Sequence, residues 1–281
     1  MNPSTQHPIW IDSHCHLDRF AARGELSAVL ERARRSNVRE MITVSTSPED
    51  WDLYQGLATQ HPGIIHYTVG IHPSEVTSAW PAAVEQLSAF LNRADDLPRP
   101  VAIGEIGLDY FRLPARETAA KAEVVQLQQA AFRAQLHLAS ELPLPIVIHC
   151  RSAQADCLKI IQESKIDTRR FIFHCFSGTP AEVQQLLQLG IRVSFTGIVT
   201  FKSASLLREA VALVSPESTI IETDCPFLAP EPHRGQQNEP AHTQLIGNYL
   251  ASLHNLSPVE FSHLSTRSTR SFFQLPPAAA F

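Results

Sequence analysis

No apolar run in this 281-residue chain approaches the ~20 residues needed to cross a bilayer. Its opening, Met-Asn-Pro-Ser-Thr-Gln-His-Pro, has neither the basic stretch nor the long apolar core of a secretion signal, and a cytoplasmic protein with no membrane partner is expected. Cysteine is scarce and odd in number, at five, and a chain of this size does not need crosslinks, which argues against a disulfide framework. Nor is there an excess of positive charge. The 23 Lys and Arg against 28 Asp and Glu leave a net charge of -5, too acidic for a broad grip on nucleic-acid phosphates. Any anionic ligand must therefore be drawn by a local field. Linkers, low-complexity tracts and internal repeats are missing too. With 44% hydrophobic residues the chain can bury a large core, and α/β barrels commonly reach this length undivided. One domain over residues 1–281, acting as a monomer, is the expectation.

What is present is an alternation. Eight short apolar runs lie at 8–12, 41–45, 64–70, 101–105, 145–149, 170–174, 192–196 and 219–224. Between them, helical periodicity covers 26–36, 48–60, 82–92, 117–141, 153–164, 180–189, 203–214 and 241–253, and 258–273 reads as a further helix. Ile- and Val-rich strands separated by helices predict right-handed βα units with a sheet buried on both faces. Eight of them predict a (β/α)8 TIM barrel with an extra C-terminal helix; an open doubly wound sheet is the alternative.

Six residues with metal-binding side chains stand at or near the ends of five runs. They are His14 and His16 in Ile-Asp-Ser-His-Cys-His, Glu105 in Val-Ala-Ile-Gly-Glu, His149 in Pro-Ile-Val-Ile-His, His174 in Phe-Ile-Phe-His, and Asp224 in Ile-Ile-Glu-Thr-Asp. These are the first, fourth, fifth, sixth and eighth runs, which only a closed ring makes neighbours, because the strands of a parallel barrel all finish on one face. Side chains two apart on a strand share a face, so His14 and His16 form a chelating pair while Cys15 points away. Cys150, Cys175 and Cys225 each follow a candidate ligand and are expected to face away as small buried fillers. Asp12 shares the inward face of His14, either to orient a ligand or to join a buried polar network.

Seven segments carry a resemblance over nearly the whole chain: Asp12-Ser-His-Cys-His-Leu-Asp18, Gly70-Ile-His-Pro73, Gly104-Glu-Ile-Gly-Leu-Asp-Tyr110, Pro145-Ile-Val-Ile-His-Cys-Arg151, Phe173-His-Cys-Phe-Ser-Gly178, Glu222-Thr-Asp-Cys-Pro-Phe-Leu228 and Arg234-Gly-Gln-Gln-Asn-Glu-Pro240. In this order they resemble the signature segments of the TatD family of metal-dependent hydrolases, within the amidohydrolase superfamily. The resemblance implies a TIM barrel with a binuclear divalent-metal centre and a deoxyribonuclease activity of the 3'-5' exonuclease type, with DNA, single-stranded or at 3' ends, as substrate. Carried over residue by residue, it implies the same six ligands. It further implies that His14, His16 and Asp224 complete one metal site and His149 and His174 the other, with His72 near the substrate.

Chemistry supports such a cluster on its own terms. Four neutral imidazoles and two carboxylates suffice for two cations if one carboxylate bridges them at roughly 3.5–4 Å, and Glu105 is the natural bridge. Two divalent ions less two carboxylates leave about +2 locally, which draws a phosphodiester even to an acidic protein. Glu105 and Asp224 are the candidate catalytic residues, Asp224 as ligand and proton acceptor together. The mixed donors fit Zn, Mn, Co or Ni and admit Mg. Arg151 and Arg234, suited to bidentate phosphate binding, and His72 are candidate substrate contacts; surface ion pairs and a loop cap with Pro73 are the competing readings. Glu222 is expected in a supporting role, the proline-rich 229–240 stretch as a stiff loop over the mouth, and Trp10, Trp51 and Trp80 as packing residues. The alternative activity is hydrolysis of a C–N or lactone bond on the same barrel. Many binuclear amidohydrolases bridge their metals with a carboxylated lysine, but none of the four lysines here, Lys121, Lys159, Lys165 and Lys202, lies in a predicted strand.

Overall fold

The computed structural model describes residues 7–94, 96–113 and 118–276; the expectations for the first six residues and for a helix starting at 117 lie outside them. Eight strands pair in chain order in one parallel sheet: β1 (Trp10–Cys15), β2 (Val38–Thr43), β3 (Ile65–Val69), β4 (Ala102–Asp109), β5 (Ile146–Arg151), β6 (Phe171–Phe173), β7 (Arg192–Phe195) and β8 (Ile220–Ile221). The ring closes just past β8. Cys15 and Cys225 form a parallel bridge, the His16 N–H donates to the Cys225 carbonyl at 2.9 Å, and the Asp224 N–H donates to the His14 carbonyl at 2.9 Å. This is the predicted (β/α)8 barrel.

Helices α1 (Asp18–Ala21) and α2 (Leu26–Arg35) follow β1, and α3 (Pro48–Gln60), α4 (Trp80–Leu91), α5 (Thr118–Ser140), α6 (Gln154–Ser164), α7 (Pro180–Gln188), α8 (Ser205–Val211) and α9 (Thr243–Leu253) each follow the next strand in turn. The extra C-terminal helix is α10 (Pro258–Phe273). The single turn α1, which carries buried Phe20, had no periodicity to announce it. Helices α7 and α10 begin with complete capping boxes, Thr179 with Glu182 and Ser257 with Glu260, and proline leads each first turn. Each N-cap side chain contributes ~1 kcal/mol by satisfying backbone donors left open at the helix start. Among the described residues no helix is long and apolar enough to cross a membrane.

Strand alternation divides the core into two shells. Ile42, Val44, Ala102, Val147, Ile172 and Ile220 join Phe272 and Phe273 of α10 in one buried cluster, while Met41, Ile103, Ile146, Ile148, Phe171 and Phe173 belong to the larger cluster packed against the helices. Each fully buried Ile or Phe contributes about 1.5–3 kcal/mol. The period of two then carries the inward phase upward from Val147 to His149, from Ile172 to His174, and from Ile220 through Glu222 to Asp224.

Candidate metal centre

Glu105 lies at the middle of the cluster and divides it. Its Oε1 is 2.6 Å from His149 Nδ1 and 2.6 Å from His174 Nε2, while Oε2 is 3.3 Å from His14 Nε2. On the His14 side, Asp224 Oδ1 is 3.4 Å from His16 Nε2 and 3.7 Å from His14 Nε2. All six residues singled out by pattern meet here, and none exceeds 9% exposure. Three overlapping sets of potential ligand atoms result: His14, His16 and Glu105; His14, His174 and Asp224; and His72, Glu105 and His149.

Local backbone features bring these groups together. Glu105 was read as a strand end but sits fourth in an eight-residue strand. The β4–β5 pairing slips between Ile103 and Ile106, both of which face the helices, and this irregularity turns the intervening Glu105 inward. Conversely, β6 and β8 stop short, so His174 and Asp224 stand beyond the last ladder residues. Asp109 and Arg151, which lie past the apolar runs 101–105 and 145–149, are the final residues of β4 and β5. Gly107 permits the close approach of these two strands. Its φ is +140°, and a Cβ there would lie 2.1 Å from the His149 carbonyl oxygen.

The remote ring nitrogens decide which imidazoles offer a lone pair to the cluster. His16 Nδ1–H donates to the Val44 carbonyl at 3.1 Å, and His149 Nε2–H donates to Asp109 Oδ2 at 3.2 Å. His174 Nδ1 is 3.4 Å from Glu222 Oε1, a looser contact of the same kind. Each leaves its other nitrogen facing Glu105 or Asp224, placed to give its lone pair to a cation once its proton is displaced. His72 is wired the opposite way: its Nδ1 accepts the Ser74 N–H at 3.0 Å, so the proton resides on Nε2, 3.1 Å from His149 Nδ1. It is a donor aimed into the site rather than a ligand. Neither ring nitrogen of buried His14 makes a hydrogen bond; such an orphan costs ~1–3 kcal/mol unless something satisfies it. A cation bound between Glu105 and Asp224 would do so, and the donor set fits the divalent ions expected.

Electrostatics agrees. Burial alone would raise the Glu105 carboxyl, but His174, His72 and His14 hold it well below the usual carboxylate range. Asp224 is held at about 2 by His16, His14 and His174 against the same burial. Burial disfavours charge on His174, yet Glu105 and Glu222 keep its pKa well above the ordinary value. The field that holds a proton there is of the sign that attracts a cation. Burial pushes His72 down to about 3 despite the pull of Glu105, so it is neutral at physiological pH.

The supporting residues take definite places. Asp12 joins a buried polar network: Oδ1 accepts the Thr223 N–H at 2.9 Å and Oδ2 the Thr223 hydroxyl at 2.6 Å, tying β1 to the segment past β8. Burial pushes its carboxyl up to about 7 against those bonds. Glu222 accepts from the Cys175 N–H and the Ser194 hydroxyl, both at 2.6 Å. Over the cluster opens a cavity of about 1220 Å³ lined in part by His149, His174 and Asp224. Arg151 lines it, its guanidinium donating to the Cys175 carbonyl at 2.9 Å. Arg234 does not; it stacks on the Phe201 ring at 4.3 Å. The described lining stops at Leu228, and within 229–240 Gln237 and Glu239 are tied to Arg23 and Arg32. All five cysteines are free, and none belongs to the potential ligand sets among the described residues. Cys15, Cys175 and Cys225 are buried as expected, whereas Cys150 also borders the cavity.

A TIM barrel with buried histidines and carboxylates gathered at the carboxyl ends of its strands is the framework of a metal-dependent hydrolase. The chain belongs to the TatD family: the family model for TatD related DNases matches residues 11–274. The uncharacterised metal-dependent hydrolase YcfH of Escherichia coli K12 is 32% identical over 268 residues, 94% of this chain and 96% of that protein. The 3'-5' ssDNA/RNA exonuclease TatD of Pantoea vagans is 33% identical over 253 residues, 88% and 92% of the two chains. The crystal structure of YjjV, a TatD homologue from Escherichia coli K12, matches with a TM-score of 0.84 at 27% identity, covering 95% of this chain and 98% of that one.

Proposed function

We propose that this hydrolase is a phosphodiesterase acting on the ends of DNA strands, of the 3'-5' exonuclease type. His14, His16, Asp224 and Glu105 would hold one divalent cation, and Glu105, His149 and His174 a second. The observation that carries the reading is the division of the Glu105 carboxylate, whose two oxygens face histidines on opposite sides. Ions bound there supply Lewis acidity and a water of lowered pKa. The chain's own groups do the rest. Asp224, ionised at neutral pH, accepts the proton of the attacking water, while the neutral His72 presents Nε2–H to a phosphate oxygen. Arg151 at the cavity wall pairs with a neighbouring phosphate. The buried position of the ligands favours a strand end, which can enter a cavity that the body of a duplex cannot. The named activity of the Pantoea vagans relative supports the same substrate class.

Metal-loaded protein incubated with end-labelled single-stranded DNA, a simple phosphodiester, and a panel of cyclic amides and lactones tests this. Stepwise shortening from the 3' end is expected. Hydrolysis of amides or lactones alone, or no turnover of any substrate, would overturn it.

A further inference from the structure

Two phenylalanines at the cavity wall are exposed where burial would be the rule. Phe111 is 79% exposed and Phe227 52%, and both line the cavity above the cluster. Single aliphatic residues on a surface, such as Leu53 or Leu213 here, need no explanation. Two aromatic rings on one catalytic cavity are a different case, because each is held by the scaffold of the ligands themselves. The Phe111 N–H donates to Asp109 Oδ1 at 3.0 Å, and the other oxygen of that carboxylate orients His149. The Phe227 N–H donates to the Asp224 carbonyl at 3.0 Å, and its own carbonyl accepts from Asn238 Nδ2 at 2.6 Å. The Phe227 ring also meets His16 edge-on at 6.2 Å. Arg112, next to Phe111 and 71% exposed, lines the same cavity as Arg151. Rings and guanidiniums thus line one cavity, the combination that tracks bases and phosphates of a single strand.

We infer that Phe111 and Phe227 are stacking platforms for unpaired bases on either side of the phosphodiester held at the cluster. The inference rests on the phosphodiesterase reading and assigns the residues that would favour an unpaired strand: an unpaired base offers its π-face to a ring, and a base stacked within a duplex does not. The two rings select strandedness without reading sequence, since every base has such a face.

The test is fluorescence anisotropy on the full-length, metal-loaded protein with a labelled oligothymidylate made resistant to cleavage by phosphorothioate linkages. The same strand, abasic at its last two positions, is measured beside it. Wild type is expected to prefer the intact strand by roughly five- to a hundredfold for each stacked base. Phe111→Ala and Phe227→Ala should each compress that preference, and Phe111→Trp and Phe227→Trp should keep it. A preference that stays at the wild-type value in both alanine variants, or a wild type that does not distinguish the strands, overturns the platforms. Shortening of the unmodified oligothymidylate by wild type is measured in parallel, so that its absence overturns the underlying reading separately.

Discussion

Replacing Asp109 with Asn changes almost no volume but reverses one hydrogen bond that the metal centre depends on. In the wild type Oδ1 accepts the N–H groups of Phe111 and Arg112 at 3.0 and 3.1 Å, while Oδ2 accepts from His149 Nε2 at 3.2 Å. In Asp109→Asn the two backbone donors keep the amide oxygen on their side and turn the NH2 group toward His149. Two donors then face each other unless His149 moves its proton to Nδ1, the atom 2.6 Å from Glu105 Oε1. Either the orienting bond or the ligating lone pair is lost. Removing a group that orients a metal-bound histidine typically costs ~10–100-fold in metal affinity, about 1.4–2.7 kcal/mol. His149 serves one side of Glu105, so a competition titration against a chromophoric chelator should resolve one weakened step and one unchanged step. Thermal stability of the stripped protein should stay near wild type, because the turn at Phe111 is kept. Two steps of wild-type affinity would refute the tautomer argument, and equal weakening of both would refute the division of the cluster by Glu105.

Gly107→Ala should destabilise the fold by about 3 kcal/mol or more, since its Cβ would meet the His149 carbonyl oxygen at 2.1 Å; urea denaturation checks this, and a wild-type midpoint would contradict it. Gly247→Ala in α9 sets two effects against each other. Alanine favours the helix by ~1 kcal/mol, but the new Cβ would lie 2.4 Å from the buried Trp10 ring, and overpacking of this kind costs ~1–3 kcal/mol. Net destabilisation is expected in the same assay, and a gain would show that Trp10 can move. Chelation should lower the melting temperature, because an ion at a hundred times its dissociation constant stabilises by about 2.7 kcal/mol. Protons compete for the same imidazoles, and His174 holds its proton well above the ordinary histidine range, so this stabilisation should still be rising above about pH 7 and shrink as pH falls below roughly 6.5. Scanning calorimetry with and without chelator at both ends of that range checks it, and an equal gap at pH 5 would contradict it.

Much of the barrel was legible because β5, β6 and β8 announce themselves as Ile- and Phe-rich runs whose inward phase leads straight to His149, His174 and Asp224. Strand ends were less so. Polar residues such as Ser13 and His14 hid the upper half of β1, and the register slip that turns Glu105 inward leaves no mark in the pattern. The groups that fix the tautomers were harder still. Val44 acts through its backbone carbonyl, which every residue carries, and Asp109 lies four residues past the apolar run that marks β4. Phe111 and Phe227 had no sequence signal apart from lying two residues beyond Asp109 and three beyond Asp224, where exposure cannot be read from residue type. Arg234 sat in a motif on the ligand side, yet stacking on Phe201 takes it off the cavity wall.

Counting ions by native mass spectrometry on chelator-stripped protein titrated with a divalent metal bears most directly on the role of Glu105. Wild type should take up two ions per chain, and Glu105→Gln, which removes the carboxylate charge from between the two halves, should retain fewer than two. Two ions in both proteins, or none in wild type, would contradict the account.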